Sequence, residues 1–117
     1  MNLPKAERLS SRTAISTLLA EGKWGTLQPV RYCFRPSNGS EVNRILVSVP
    51  KKHFKRAVKR NLLKRRLREC YRTQKDLLSV KGVDVMFVYD SRDIVAFDFL
   101  KDLMSHILKE ITRRADR

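Results

Sequence analysis

In the first half of the chain, the pattern of hydrophobic and polar positions has a helical period in one segment and a strand period in two later segments. Apolar residues three and four apart predict a helix over about residues 11–21, which ends at a glycine. The next segment, 23–28, lacks a clear period and is expected to be irregular. Alternating positions predict strands over 30–35 and 43–49, which we expect to pair as an antiparallel hairpin with a long loop.

The second half shows three further periodic segments. Residues 56–78 contain no glycine or proline and are mostly good helix formers, which predicts one long helix. A short apolar run over 83–89 is typical of a buried strand. Apolar positions over 97–111 then recur at helical spacing and predict an amphipathic final helix. An arm over about 1–8 and a tail over about 113–117 are expected to fray.

The predicted order of elements is helix, two strands, helix, strand, helix. Because the strands must share a sheet whose apolar face is covered, this order indicates an α+β fold, a two-layer α/β sandwich in which helices cover a small sheet. A chain of 117 residues fits a single domain, and 42% hydrophobic residues suffice for a core. We expect Cys33 and Cys70 to be small core residues.

The charge is strongly one-sided and localised. The chain has 26 Lys and Arg against 12 Asp and Glu, a net charge of +14. Residues 51–72 hold 11 of these cations and one acid, so this segment carries +10 and the rest only +4. Such density favours a polyanionic partner, nucleic acid first and an acidic membrane surface second. No apolar run reaches the roughly 18 residues that span a bilayer, and the N-terminus has no secretory pattern, so we expect a cytoplasmic protein.

Helical spacing divides the basic segment into two faces. Positions three and four apart share a face, so one side is expected to dock on the sheet and the other to present a cationic strip. The apolar stripe comprises Leu63, Leu67, Cys70 and Tyr71. The cationic strip comprises Asn61, Lys64, Arg65 and Arg68. Like charges on one helix face repel, and phosphates would relieve that repulsion.

Candidate chemistry within the protein is sparse. His53 and His106 lack neighbours at metal-ligand spacing, and the four glycines form no phosphate loop. The aspartates form no legible two-metal cluster. We therefore expect no catalytic residue and no protein-bound metal. Tyr32 and Phe34, on a predicted strand, are core residues or surfaces for base stacking, and Trp24 allows both interpretations.

Residues 49–69 carry the most specific signal. Their pattern is a Lys-Lys pair after a strand, then a helix with an Ala-Val pair, Arg-Asn and further cations. The matching residues are Val49-Pro50-Lys51-Lys52, then Lys55-Arg56-Ala57-Val58-Lys59-Arg60-Asn61-Leu62-Leu63-Lys64-Arg65-Arg66-Leu67-Arg68-Glu69. This pattern resembles the signature of the bacterial ribonuclease P protein component, and element order and length extend the resemblance over nearly the whole chain.

The resemblance implies a small subunit of the ribonucleoprotein that removes the 5′ leader from precursor tRNA. Its partners would be the catalytic RNA and the leader, with no membrane and no small-molecule substrate. Catalysis would belong to the RNA, with Mg²⁺ bound mainly by that RNA, and the protein would be an accessory subunit of an endoribonuclease. The implied fold resembles the second domain of ribosomal protein S5, with a left-handed βαβ crossover where the general rule predicts a right-handed one.

The resemblance also implies residue roles. The expected RNA contacts are Lys51, Lys52, Arg56, Arg60, Asn61, Lys64, Arg65 and Arg68. A leader cleft between the sheet and a helix would use Ile15, Leu19, Tyr32 and Phe34. One departure is Leu62, where the family usually has Arg, and Arg66 and Lys59 lie near enough in sequence to compensate.

Two other functions remain open at this point. One is a ribosomal or RNA-chaperone-type binding protein without a role in cleavage, which the charge and fold fit equally well. The other is a nuclease that acts without RNA, which would need a catalytic site that the sequence does not display. The ordered basic signature favours the ribonuclease P subunit over both.

Overall fold

The computed structural model describes residues 3–115 and has the expected α+β composition. The chain forms three α-helices, four strands and two short 3-10 turns, Lys5–Glu7 and Lys75–Leu77, within these residues. No described helix is long and apolar enough to cross a membrane. The elements are α1 (Arg12–Glu21), β1 (Lys23–Leu27), β2 (Val30–Arg35), β3 (Arg44–Ser48), α2 (Ala57–Arg72), β4 (Asp84–Tyr89) and α3 (Phe97–Ala115).

The sheet order is β1-β2-β4-β3, and it corrects two expectations. The hairpin predicted between β2 and β3 is wrong, because β4 lies between them, antiparallel to β2 and parallel to β3. The apolar run of β4 suits this central place, where strands flank both edges and the main core buries Val85, Phe87 and Tyr89 on one face, while Met86 and Val88 on the other face are half-buried. The segment 23–28, expected to be irregular, contains β1, an edge strand that pairs with β2.

Helices cover both faces of the sheet unequally. Side chains of α2 and α3 pack on one face in the main core, which includes Phe34 and Phe87 from the strands. On the opposite face, α1 covers a smaller cluster built on Leu18 and Cys33. The α/β sandwich is therefore confirmed, with α1 as a partial layer behind the sheet.

The connection from β3 through α2 to β4 is left-handed, as the resemblance implied. The side chain of Ile45 packs in the layer that contains α2. Its carbonyl accepts a hydrogen bond from Leu9 on the edge of β3 that faces away from β4. For an L-residue, the directions of strand, side chain and carbonyl are fixed relative to one another. Viewed from α2 with β3 running upward, β4 therefore lies to the left, which is the uncommon hand.

The helix predicted over 56–78 ends earlier, at Arg72, where the N–H of Thr73 bonds to the carbonyl of Glu69. Its predicted apolar stripe, from Leu63 to Tyr71, is buried. Both cysteines are buried and free. Burial raises the pKa of the Cys70 thiol to about 11, so this thiol is an inert core group.

In the arm that is expected to fray, residues 3–8 are tied to the domain at Leu3, at Glu7 and at the bridge between Arg8 and Ile45. Leu3 and Leu9 are buried, and the carboxylate of Glu7 lies 3.0 Å from Nζ of Lys75. In the expected tail, residues 113–115 continue α3. The parts of both predictions that concern residues 1, 2, 116 and 117 lie outside the described residues.

A buried carboxylate joins the loop after β2 to the sheet. Asp84, only 1% exposed, accepts hydrogen bonds from Nε and Nη2 of Arg44 at 2.8 and 2.9 Å. The side-chain amide of Asn38 donates to the same carboxylate at 2.8 Å. Charge-assisted bonds of this kind are the strong ones in proteins.

Replacing this carboxylate should destabilise the fold. The variant Asp84→Ala leaves the guanidinium of Arg44 and the amide of Asn38 without their acceptor, so we expect a loss of about 2 to 3 kcal/mol in the free energy of unfolding. Urea titration followed by circular dichroism measures this loss. The matched control is Asp102→Ala, because that carboxylate is 77% exposed. Equal stability of the two variants would contradict the structural role of Asp84.

Candidate nucleic-acid interface

The cationic strip of α2 lines a groove of about 500 Å³. All four predicted strip residues lie in it, because the buried stripe holds the opposite side of the helix against the sheet. The other wall comes from the N-terminal segment. The lining residues are Leu3, Arg8, Asn61, Lys64, Arg65, Arg68, Glu69 and Arg72.

The groove carries an excess of positive charge. Among its described lining residues, five side chains are cations and one, Glu69, is an acid. Both oxygens of Glu69 accept hydrogen bonds from Arg72, one of them at 3.0 Å from Nε. The bond to Arg72 lowers the pKa of Glu69 and raises that of Arg72. Glu69, the acid of the described lining, is thus paired with Arg72. An incoming anion would meet the other four cations of the lining.

Sequence reasoning missed two cations of the groove. Arg72 follows Arg68 by four positions, so helical spacing alone could have added it to the strip. Arg8 is different, because it lies about fifty residues before the strip and no periodic signal connects the two. Only the docking of the N-terminal segment brings Arg8 to the groove.

The other predicted contacts lie before and at the start of α2. Lys51 and Lys52 are exposed in the turn after β3, and Arg56 is exposed at the N-terminus of α2. Arg60 is half-buried, and its Nη1 donates to the carbonyls of Phe54 and Lys55 at 2.7 and 2.8 Å. The structure therefore gives Arg60 a role in holding the loop that leads into α2.

Leu62 stands half-buried beside the strip, and the two proposed compensating cations lie elsewhere. Nη1 of Arg66 lies 3.5 Å from the carbonyl of Val95, just before α3. Lys59 is exposed on the first turns of α2, and neither cation lines the groove. Arg8 is the cation that the fold adds there instead.

The four residues expected to form one cleft lie on opposite faces of the sheet. Tyr32 and Phe34 are 4% and 0% exposed and belong to the core beneath α2 and α3. Ile15 packs on the other face, and Leu19 is 47% exposed on the same helix, α1. Because neighbouring side chains of a strand point to opposite faces, it is Cys33 that faces α1. The expected grouping is therefore corrected, since Tyr32 and Phe34 do not face α1.

The α1 face of the sheet leaves an open surface beside the helix. Leu46, Met86 and Val88 are half-buried there. At its edge the guanidinium of Arg31 lies 4.8 Å from the ring centroid of Trp24, a cation–π contact. Apolar and aromatic side chains beside a cation can accept an unpaired base and its phosphate.

A histidine and an aspartate connect the basic turn to the end of β4. Nε2 of His53 lies 2.8 Å from Oδ1 of Asp90, and this hydrogen bond is the main cause that lowers the pKa of Asp90. The positive charges of Lys52 and Arg31 lower it further. Nδ1 of His53 is buried without a partner in the described part of the chain. The pair holds the turn that carries the Lys-Lys motif.

Residues 3–115 contain no group of three or more His, Cys, Asp or Glu side chains that could hold a metal ion. The groove donors are guanidinium, ammonium and amide groups, which suit phosphate and do not suit Mg²⁺. The donor set of this surface therefore fits an anion.

Comparison with known proteins points to one family. The family model described as Ribonuclease P matches residues 3–112. The ribonuclease P protein component of Porphyromonas gingivalis is 47% identical over 79 residues, which are 66% of this chain and 58% of that relative. The component of Borrelia turicatae is 32% identical over 106 residues, covering 86% of this chain and 91% of its own length.

Solved structures agree with this result. The RNase P protein from Thermotoga maritima matches with a TM-score of 0.79 and 29% identity over 90% of this chain and 97% of its own. The RNase P protein of Staphylococcus aureus matches with a TM-score of 0.76 over 91% of this chain and 95% of its own. At 21% identity, this second match supports the fold alone.

The His53–Asp90 pair predicts a pH-dependent contribution to stability. The pKa of Asp90 is lowered from 3.8, so its contribution is complete above that value and fades as the pH falls through the lower, folded-state pKa. In Asp90→Asn an acceptor remains but the charge is lost. We expect the stability gap between wild type and variant to be present at pH 6 and to shrink toward pH 2. Urea titrations across this range measure the gap, with Glu41→Gln, an exposed carboxylate, as control. A constant gap would show that the ionised carboxylate of Asp90 does not stabilise the fold.

Proposed function

The chain belongs to the ribonuclease P protein family, and on this premise we propose that it is the protein subunit of bacterial ribonuclease P. In this role it binds the catalytic RNA and the 5′ leader of precursor tRNA and promotes maturation of the tRNA 5′ end. The single observation that supports the proposal is the groove on α2, which three cations of the family signature, Lys64, Arg65 and Arg68, line together. An RNA-bound subunit of this kind would work in the cytoplasm.

Catalysis in this proposal belongs to the RNA. The described residues offer no carboxylate cluster for metal-assisted hydrolysis, and the cationic surface favours phosphate as ligand. Mg²⁺ would be held mainly by the RNA, whose phosphates supply the oxygen ligands that this ion prefers. The protein would contribute affinity and orientation, as an accessory subunit of an endoribonuclease.

The catalytic RNA would lie along α2. Arg65 and Arg68 are exposed in the groove, and guanidinium groups can bridge phosphate oxygens through two hydrogen bonds. Asn61 can donate to and accept from a sugar or base edge. Lys51 and Lys52 would extend the contact at the turn before the helix. Arg60 would act by holding that turn, since backbone carbonyls already engage its guanidinium.

The leader would lie on the open α1 face of the sheet. This surface combines half-buried apolar side chains with the Arg31–Trp24 pair, a combination that suits an unpaired strand. Ile15 of α1 packs on this face, and Leu19 is exposed one turn further along the same helix, so we keep both as proposed leader contacts. In place of Tyr32 and Phe34, we propose Arg31 and Trp24 as the strand residues that contact the leader.

Reconstitution tests this function directly. The protein is mixed with a bacterial ribonuclease P RNA and precursor tRNA at low Mg²⁺, and the rate of 5′-leader removal is measured. We expect the protein to accelerate cleavage, because it would supply the charge compensation that the RNA otherwise takes from Mg²⁺. Unchanged cleavage despite RNA binding would favour a ribosomal or chaperone-type protein. Cleavage by protein free of RNA would instead reveal a catalytic site in the chain.

Salt dependence tests the role of the strip. Arg65→Ala or Arg68→Ala should weaken binding to the catalytic RNA and reduce the log–log salt slope by about 0.7 to 0.9 for each phosphate that the variant no longer neutralises. Fluorescence anisotropy titrations between low and moderate salt measure both quantities. Lys109→Ala, which removes an exposed cation from α3, is the matched control and should change neither. A slope equal to that of wild type would show that the substituted residue does not bind phosphate.

A further inference from the structure

We infer that Arg8 is a phosphate-binding residue that forms the second wall of the α2 groove and grips the same run of RNA backbone as Arg65 and Arg68. The inference rests on the proposed function and extends it, because neither the basic segment nor the family signature contains Arg8. A strip on one helix would touch RNA from one side only. A cation on the opposite wall would make the contact two-sided.

The N-terminal segment is held firmly enough to position a side chain. Leu3 and Leu9, on either side of Arg8, are 4% and 2% exposed. Arg8 forms a parallel bridge with Ile45 of β3, and the N–H of Leu9 donates to the Ile45 carbonyl at 2.8 Å. Arg8 therefore extends from a segment anchored on both sides, and it enters the groove lining from there.

The guanidinium of Arg8 is only partly engaged. Its Nε donates to the carbonyl of Leu3 at 2.9 Å, which orients the group and uses one of the five N–H donors that arginine has. Within residues 3–115, Arg8 takes part in no ion pair with a carboxylate. The adjacent acid, Glu7, is bound by Lys75 at 3.0 Å. The nearest sequence neighbour that could neutralise Arg8 is thus occupied.

The ligand class follows from these donors. A planar guanidinium opposite two further guanidinium groups suits phosphate, and the described lining of the groove includes no aromatic side chain on which a base could stack. Two sources could supply this phosphate, the catalytic RNA or the precursor tRNA. Because Arg8 shares its groove with the strip that would bind the catalytic RNA, we assign it to that RNA.

Three single variants test the inference. Arg8→Ala should weaken binding to the ribonuclease P RNA and reduce its log–log salt slope by about 0.7 to 0.9, the change expected when one phosphate is no longer neutralised. Arg8→Lys keeps the charge and should recover most of the slope. Lys5→Ala removes an exposed cation three residues earlier that does not line the groove, and should leave the slope unchanged. A wild-type slope for Arg8→Ala would overturn the inference.

A fourth variant separates phosphate binding from loosening of the N-terminal segment. Glu7→Gln weakens the pairing with Lys75 but keeps every groove cation. If Arg8 acted only by anchoring the segment, Arg8→Ala and Glu7→Gln would lower affinity without changing the slope, and the inference would fail. Urea titration of each variant checks that the domain is folded in the binding experiment.

A double-variant cycle with Arg65, and binding of precursor tRNA by the holoenzyme, show which RNA Arg8 contacts. If Arg8 and Arg65 grip one run of phosphates, Arg8→Ala with Arg65→Ala should reduce affinity by less than the sum of the two single effects, whereas additive effects would place them on separate sites. A slope change seen only when holoenzyme binds precursor tRNA would move Arg8 to the leader and overturn the assignment. If the wild-type protein bound no ribonuclease P RNA, the proposed function itself would fail. Failure of the proposed function is thereby distinguished from failure of the inference about Arg8.

Discussion

The burial of one stripe of α2 against the sheet is the contact on which the functional surface depends. Leu63, Leu67, Cys70 and Tyr71 are each 1% exposed or less, and the ring of Tyr71 lies 6.2 Å from that of Phe87. Burying a large apolar side chain stabilises a fold by about 1.5 to 3 kcal/mol, so this stripe outweighs the few tenths of a kcal/mol that each repelling cation pair costs the helix. Rotation of α2 is thereby blocked, and its cations must face outward together.

The acids of the protein leave most of this charge uncompensated. Asp84 binds Arg44, Glu7 binds Lys75 and Asp90 binds His53, each between segments far apart in the sequence. Glu69 binds Arg72 within α2, so it neutralises one of the five groove cations and leaves the other four. The first three pairs stabilise the framework, and none of their carboxylates lines the groove. The resulting surface holds its cations close together in the absence of an anion. RNA phosphates would provide the counter-charge, which explains how so basic a domain can be stable in its complex.

The N-terminal segment links the fold to this surface. It covers the edge of β3 through the Arg8–Ile45 bridge, so one open edge of the sheet is protected from pairing with other strands. The left-handed crossover places α2 on the face to which Ile45 points, with β3 at the outer edge of the sheet. The same segment can therefore lie over β3 and reach the groove on α2. The position of the N-terminal segment therefore has two consequences: it protects the edge of β3, and it forms the second wall of the groove.

The sequence by itself determined the helices and strands with strong periodicity, and it determined the family through the ordered basic signature. It also determined the buried stripe and the cationic strip of α2, because spacing of three and four along one helix is a local property that charge and apolarity reveal directly. Tertiary structure alone decided that β4 separates β2 from β3, that Tyr32 faces the core and not α1, and that Arg60 binds loop carbonyls. Strand alternation shows that two faces differ but not which helix covers each one. Arg8 reaches the groove through contacts with residues far along the chain, and no local pattern encodes such an encounter.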